Sequence, residues 1–250
     1  MKISVCGKGG SGKSTVATLL ALSAVSRGLK TLVIDSDESN SGLYRMLGFD
    51  APPSPLMELL GGKRGVKQRM GQKDILSQAL IPIDEVPPDH ATRKDGLILM
   101  SIGKILQAYE GCACPMGVLS REFLRKLKLE ANEIAIIDME AGVEHFGRGI
   151  DESVDWVILV VEPSYESVAL ASRIFSISNV MQKKLRAVLN KVDSKEVEML
   201  LTRRLKDIGI EVDGVIPQDP DVFKQCLEGK PLARGKAFGA AARVMEGLFS

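Results

Sequence analysis

A glycine-rich segment near the N-terminus has the residue types and spacing of a loop that binds phosphate groups. Residues 7–15 read GKGGSGKST, with the spacing G-x-x-x-x-G-K-S from Gly7 to Ser14. Glycines permit positive φ angles, so successive backbone N–H groups can converge on phosphate oxygens. We expect Lys13 to contact the β- and γ-phosphates and the Ser14 hydroxyl to ligate Mg²⁺. The candidate nucleotide-binding residues of this loop are Gly9, Gly10, Ser11, Gly12, Lys13, Ser14 and Thr15.

Carboxylates directly follow two short apolar runs of the chain. Asp35 and Asp37 come after residues 31–34, and Asp138 comes after residues 134–137. An apolar strand that delivers a carboxylate to the phosphate-binding edge of a sheet suits either Mg²⁺ coordination or the orientation of a water molecule. These three side chains are therefore candidates for the metal and the hydrolytic chemistry of a nucleotide site.

A base-recognition segment is indicated further along the chain. Asn190 and Lys191 follow the apolar residues 187–189, and an asparagine side chain can pair with both a donor and an acceptor on a purine edge. The sequence N-K-V-D at this point also resembles the guanine motif of GTPases. The residues alone therefore leave adenine and guanine open as the base.

Cys112 and Cys114 form a C-x-C pair in a glycine-containing segment. Cysteines two positions apart make a strained intrachain disulfide, and paired thiols in a reduced compartment more often bind metal. One pair supplies only two ligands, whereas a tetrahedral thiolate site uses four. A symmetric dimer that brings two such pairs together would supply all four, with the metal on the two-fold axis.

The elements that must position these residues alternate between apolar strands and helices. Such alternation predicts a single α/β domain over residues 1–250, with a mostly parallel, doubly wound sheet flanked by helices. Ligands of such sheets bind beyond the carboxyl ends of the strands, where the candidate residues fall. Residues 51–96, rich in proline and charge, are expected to form an irregular surface excursion. The expected strands lie at 3–6, 31–34, 97–101, 134–137, 156–161 and 187–189, and the expected helices at 14–26, 120–129, 167–184, 194–207 and 237–248.

Composition narrows the classes of function. The 250 residues include 33 basic and 32 acidic side chains, so the formal net charge is +1, which argues against coating nucleic acid or an anionic membrane. Four cysteines and 26% charged residues do not describe a disulfide-stapled secreted domain. No apolar run approaches the roughly 20 residues that cross a bilayer. We therefore expect a cytoplasmic protein with neither nucleic acid nor membrane as partner.

With Lys8 inside it, the phosphate-binding loop resembles the deviant phosphate loop of the MinD/ParA-like ATPases, whose pattern is K-G-G-x-G-K-[ST]. The resemblance implies that Lys8 reaches across a homodimer to the phosphates bound by the partner, with Lys13 and Asp37 completing the catalytic set. The segment D-S-D-E-S-N from Asp35 resembles the family's first switch. By that resemblance Asp37 orients the attacking water and Asp35 lies nearer the metal.

The same resemblance extends to the rest of the nucleotide site. Residues 138–145, with the sequence DMEAGVEH, resemble the second switch, in which Asp138 would hold a metal-bound water. The Mg²⁺ set implied is thus Ser14, Asp35 and Asp138. Pro217 and Gln218 match a family segment whose backbone lies along the base, and the family favours adenine.

Together with the C-x-C pair, the segment A-G-V-E-H makes the whole chain similar to the CooC-type accessory ATPases of carbon monoxide dehydrogenase. The resemblance implies a slow, Mg²⁺-dependent ATPase that binds ATP and ADP and forms a homodimer. Ni²⁺ or Zn²⁺ would bridge the dimer through Cys112 and Cys114, and carbon monoxide dehydrogenase would be the client that receives nickel. Glu140 departs from the small residue that relatives often carry in the second switch. Two alternatives remain open: an ATPase that carries an iron–sulfur cluster, and a MinD/ParA-like spatial-positioning ATPase.

Overall fold

Apolar strands buried on both faces form the centre of an α/β fold in the computed structural model, which describes residues 1–39, 42–104 and 114–249. The strands are β1 (Lys2–Gly7), β2 (Lys30–Asp35), β3 (Ile81–Pro82), β4 (Ala91–Lys94), β5 (Leu97–Ser101), β6 (Leu127–Lys128), β7 (Glu133–Asp138), β8 (Trp156–Val161), β9 (Lys184–Val192) and β10 (Val212–Pro217). The helices are α1 (Lys13–Ser26), α2 (Leu43–Met46), α3 (Gly62–Arg69), α4 (Cys114–Lys126), α5 (Glu144–Gly147), α6 (Tyr165–Val180), α7 (Lys195–Asp207), α8 (Pro220–Glu228) and α9 (Lys236–Leu248).

The main sheet has the strand order β10-β9-β8-β1-β7-β2-β5-β4. All neighbouring strands in it are parallel except β4, which pairs antiparallel with β5 at the edge. Strands β3 and β6 form a separate parallel pair. The expected fold class, a mostly parallel sheet flanked by helices, is confirmed.

Alternate residues of the central strands pack into two hydrophobic clusters, because successive side chains of a strand point to opposite faces of the sheet. In β2, Leu32 and Ile34 belong to one cluster and Val33 to the other. Helices α1 and α9 contribute to the cluster that contains Val33. In this sheet β7 lies between β1 and β2, so the loops at the carboxyl ends of these three strands lie close together.

Two local predictions differ from the structure. Residues 51–96 are not an irregular surface excursion, because they contain α3, a 3₁₀ helix (Leu56–Leu60) and β4. Apolar side chains fold this segment onto the main core. These buried side chains are Leu56, Met57, Val66, Ile75, Leu76, Ile81, Ile83 and Val86. Helix α4 begins at Cys114 rather than near Ser120.

In the described part of the chain, no helix combines the length and apolarity needed to span a membrane.

Candidate nucleotide-binding site

The phosphate-binding loop joins β1 to α1 in a conformation that only glycine adopts readily. Gly10 and Gly12 have φ angles of 81° and 91°. A Cβ atom on Gly12 would also overlap the side-chain amide of Asn190. The turn closes with the Ser11 N–H donating to the Lys8 carbonyl at 3.1 Å. Helix α1 then starts at Lys13, so its free N–H groups and partial positive charge face the end of the loop where phosphate would bind.

Two buried carboxylates lie at the carboxyl ends of neighbouring strands beside this loop. The Cα atoms of Asp35 and Asp138 are paired in the register of β2 and β7. No well-formed hydrogen bond from the described residues reaches either carboxylate oxygen of Asp138 or Oδ1 of Asp35. Burial, with the charge of Asp35 second, raises the pKa of Asp138 to about 7, while the nearby Ser14 hydroxyl and Lys13 act in the opposite direction. Burial is also the main cause that raises the pKa of Asp35 to about 6.

This arrangement fits a Mg²⁺ ion. Buried carboxylate oxygens without well-formed hydrogen bonds are energetically costly unless a cation compensates them. Within the described ranges, no cluster of three or more His, Cys, Asp or Glu side chains is arranged to hold a metal by itself. Mg²⁺ usually takes only one or two carboxylates and completes its shell with phosphate and water oxygens. Ser14, Asp35 and Asp138 are therefore a sufficient protein contribution for Mg²⁺ that arrives with a nucleotide.

Lys104 is a site residue that the sequence analysis missed. It follows β5, and its Nζ lies 2.7 Å from Oδ2 of Asp35. It also donates to the backbone carbonyl of Asp37. Lys104 thus supplies positive charge to the carboxylate pair and fixes the first switch. A basic residue just beyond a predicted strand, at the edge where the carboxylates were expected, is the signal that could have identified it.

Asp37 is held within its own loop. Its Oδ1 accepts hydrogen bonds from the Ser39 backbone N–H at 2.9 Å and from the Ser39 hydroxyl at 2.6 Å. A carboxylate that bonds the backbone two residues later stabilises a turn. These hydrogen bonds therefore fix the orientation of the Asp37 side chain. Asn40, which completes the D-x-D-x-x-N pattern, lies outside the described part of the chain.

The two lysines near the loop share one acidic partner. Lys8 Nζ lies 2.8 Å from Oε1 of Glu162, and Lys191 Nζ lies 3.1 Å from Oε2 of the same carboxylate. Lys191 also donates to the Gly10 carbonyl. The two lysines are the main cause that holds the pKa of Glu162 below its usual value, against the effect of burial. In this single chain Lys8 thus makes an intrachain ion pair, at the end of β8.

A cavity of about 230 Å³ adjoins the loop on the side of β9 and β10. Asn190, Lys191, Pro217 and Gln218 all line this cavity, as does Thr15. The side-chain amide of Asn190 donates to the Ser11 carbonyl at 2.8 Å, so one donor hydrogen of Asn190 already braces the phosphate-binding loop. Other lining residues include Leu19, Ile216, Val222 and Phe223. Apolar walls with a few polar groups are typical of a site for a flat heterocyclic base.

The second switch is anchored at Gly142 and at His145. The Gly142 N–H donates to the Gly7 carbonyl at 3.2 Å, which ties the switch to the phosphate-binding loop. His145, fully buried, makes a 2.6 Å hydrogen bond between its Nδ1 and Oδ2 of Asp151. This pair fixes α5 to a 3₁₀ helix (Ile150–Ser153) that follows it, and the pair lies in the protein interior. His145 is thus placed as a structural residue.

The C-x-C pair falls partly outside the described residues. Cys112 lies in the segment that the structure does not describe, and Cys114 is the first residue of α4. Cys114 is disulfide-bonded, whereas Cys6 and Cys226 are free. A thiolate metal ligand must be reduced, so the metal chemistry expected of Cys114 requires that disulfide to open. Cys114 stays a predicted ligand.

Comparisons with known proteins indicate a nucleotide-binding domain. The family model of the CobQ/CobB/MinD/ParA nucleotide-binding domain matches residues 3–232. An uncharacterized ATP-binding protein of Methanocaldococcus jannaschii is 43% identical over 237 residues, which cover 93% of this chain and 94% of the relative. The carbon monoxide dehydrogenase accessory protein CooC of Rhodospirillum rubrum is 32% identical over 258 residues, which cover 98% of this chain and 97% of CooC.

A solved structure gives the same fold. The septum site-determining protein MinD of Pyrococcus horikoshii OT3, complexed with Mg-ADP, superposes with a TM-score of 0.72 over 99% of this chain and 94% of that chain. The sequence identity of this pair is 20%, so the similarity shows the fold.

Proposed function

The chain belongs to the CobQ/CobB/MinD/ParA family of nucleotide-binding domains, and from this premise we propose that it is a slow, Mg²⁺-dependent ATPase that dimerises with ATP. We further propose that the dimer holds Ni²⁺ or Zn²⁺ between paired cysteine segments and assists nickel insertion into carbon monoxide dehydrogenase. The accessory role is supported by the 32% identity with CooC along nearly the whole chain.

The observation that carries the ATPase proposal is the pair of buried carboxylates beside the phosphate-binding loop. Asp138 is fully buried and has no well-formed hydrogen bond from the described residues. Its ionised form is therefore energetically costly. Lys104 and Lys13 offset only part of this cost, and a bound cation would offset more of it. Mg²⁺ held by Ser14, Asp35 and Asp138 would neutralise phosphate charge during transfer. The unfavourable charge of these buried carboxylates is thus what a Mg–nucleotide complex would relieve.

The protein's own residues supply the remaining steps. Backbone N–H groups of Gly10 and Gly12 would bind phosphate oxygens, and Lys13 would contact the β- and γ-phosphates. Asp37, already oriented by its turn, would position the attacking water. Lys8 would have to leave its intrachain partner before it could reach the phosphates of a second subunit. Formation of the dimer would therefore exchange one anionic partner of Lys8 for another.

Nickel is the cargo in this proposal. Cys112 and Cys114 from two subunits would offer four thiolates, a set suited to Zn²⁺ and accessible to Ni²⁺. Because Cys114 opens α4, its position depends on where that helix lies. ATP and ADP would have to differ in their affinity for the two assembly states in order to load and release the ion.

The test measures oligomeric mass and bound metal on the same samples. Protein reduced with a phosphine is run on gel filtration with light scattering, with Mg-ADP or a non-hydrolysable ATP analogue, and with or without Zn²⁺ or Ni²⁺. We expect a dimer with one ion per two chains when analogue and metal are both present. Cys114→Ala should remove the ion, whereas the exposed control Cys226→Ala should retain it.

Hydrolysis is measured separately as phosphate release. Lys13→Ala should abolish Mg²⁺-dependent release. An identical mass under all nucleotide and metal conditions would contradict the cycle. Visible charge-transfer absorption of the purified protein, with iron bound in place of zinc or nickel, would instead favour the alternative of an iron–sulfur carrier.

A further inference from the structure

Glu140, the unusual residue of the second switch, makes an ion pair with Arg148. Its side chain is 13% exposed and that of Arg148 is 26% exposed, so the pair is largely shielded from solvent. Glu140 lies two residues beyond Asp138 in the loop after β7, and Arg148 follows α5. The backbone N–H of Arg148 caps that helix by donating to the Glu144 carbonyl at 3.1 Å. The ion pair therefore connects the edge of the nucleotide site to the end of α5.

The same arginine packs against α4. A Cβ atom on Gly117 would lie 2.7 Å from Cδ of Arg148, so the aliphatic part of Arg148 rests directly on the backbone of that helix. One turn later in α4, Arg121 donates to the Arg148 carbonyl at 3.4 Å. Helix α4 thus contacts Arg148 at two positions. A movement of Arg148 has to displace α4 or break these contacts, because protein interiors are close-packed.

Both switches approach the ion pair. The pKa of Glu38, in the first switch, is raised by burial and by the negative charge of Glu140, while the charge of Arg148 lowers it. Glu38 is therefore in electrostatic contact with both members of the pair. On the other side, the Gly142 N–H binds the Gly7 carbonyl, so the loop that carries Glu140 is attached to the phosphate-binding loop. A movement of the phosphate-binding loop can therefore reach Arg148 through the Gly142 hydrogen bond and the ion pair of Glu140.

We propose that Arg148 is a positioning residue that couples the nucleotide site to α4 and thereby sets the position of Cys114. The ion pair with Glu140 transmits movement of the second switch, and the contact at Gly117 passes it to the helix. The inference rests on the proposed function in one respect, since it takes Cys114 as the functional end of α4. Coupling of this kind requires Arg148 to interact differently with α4 in the ATP and ADP states.

A matched pair of glycine variants tests the contact. Gly117→Ala adds a methyl group 2.7 Å from Cδ of Arg148, whereas Gly147→Ala adds one with no atom within 4 Å. Both glycines lie in helices, and neither has a positive φ angle. Arg148→Ala and Glu140→Gln remove the ion pair itself. Thermal denaturation by circular dichroism and the ADP affinity of each variant verify that it is folded and binds nucleotide.

The readout is the alkylation rate of Cys114 in the reduced, metal-free protein, followed by peptide mass spectrometry. In the wild type and Gly147→Ala, we expect this rate to differ by about fivefold or more between Mg-ADP and a non-hydrolysable ATP analogue. In Gly117→Ala, Arg148→Ala and Glu140→Gln the ratio should fall below about twofold, with ADP affinity retained.

Two results would overturn the inference and can be told apart. A wild-type ratio preserved in Arg148→Ala and Gly117→Ala would exclude Arg148 as the coupling residue and leave the proposed function standing. A wild-type protein whose Cys114 reacts equally in both nucleotides would remove the nucleotide-dependent cycle and the coupling with it. Because no metal is present in the assay, a failure of metal binding alone affects neither outcome.

Discussion

Replacing Asp138 with asparagine should stabilise the metal-free protein while it removes Mg²⁺-dependent function. Burial and the neighbouring Asp35 raise the pKa of Asp138 to about 7 from the ordinary value of 3.8. A difference of about three pKa units corresponds to about 4 kcal/mol of unfavourable ionisation in the folded state. Asparagine cannot ionise, so this cost disappears in the variant, although its buried amide is itself imperfectly satisfied. We therefore expect the free energy of unfolding at pH 8 to rise by about 2–4 kcal/mol in Asp138→Asn.

The sign of the pH dependence follows from the direction of the shift. Because the folded-state pKa is raised, the unfolded chain loses this proton first as the pH increases. The wild type is therefore destabilised progressively between about pH 4 and pH 7, with no penalty below that window and the full penalty above it. At pH 5 the penalty in the wild type is only about 1–2 kcal/mol, so with the same amide cost the advantage of Asp138→Asn should shrink to about 1 kcal/mol or less.

Urea denaturation in EDTA at pH 5 and pH 8 measures these differences. Asp50→Asn, at an exposed position, is the control for replacing a carboxylate with an amide. Saturating Mg-ADP should restore the stability of the wild type and have little effect on Asp138→Asn. A variant less stable than the wild type at pH 8 in EDTA would refute the reasoning. So would an advantage of equal size at pH 5 and pH 8.

Three further substitutions test individual contacts of the site. Asn190→Ala leaves the buried Ser11 carbonyl without its hydrogen-bond donor, at a cost of about 1–3 kcal/mol in stability. Calorimetry should show similar losses of affinity for ADP, GDP and tripolyphosphate. A loss confined to ADP would assign Asn190 to the base alone. Gly12→Ala forces an L-residue to a φ of 91° against the Asn190 amide. Urea denaturation should show a loss of at least about 2 kcal/mol in the free energy of unfolding, together with loss of ADP binding. An unchanged urea midpoint would contradict this strain. Glu162→Gln weakens the intrachain ion pair of Lys8. With the ATP analogue, analytical ultracentrifugation should therefore detect dimers at a several-fold lower protein concentration. An unchanged dimerisation constant would show that the ion pair does not restrain Lys8.

Local patterns made most of the fold predictable. Apolar runs of four to six residues, separated by helical stretches, gave strands and helices close to those observed, and the glycine spacing gave the phosphate-binding loop. In residues 51–96, prolines and charges conceal scattered apolar positions such as Val66, which become buried only when α3 lies on the core. The sequence around Cys114, with Pro115 and Gly117, has weak helix propensity, so it predicts a later start for α4 than the structure has.

The order of residues is enough to predict the chemistry available at the carboxyl ends of the strands: a phosphate-binding loop, carboxylates after two strands and an asparagine after a third. Which of these groups meet depends on the folded arrangement. The amide of Asn190 reaches the Ser11 carbonyl across 179 positions of sequence, and Lys8 meets Glu162 across 154. Such pairings depend on the order in which strands lie side by side in the sheet. Local periodicity carries no information about that order, because it is fixed by the packing of the whole chain.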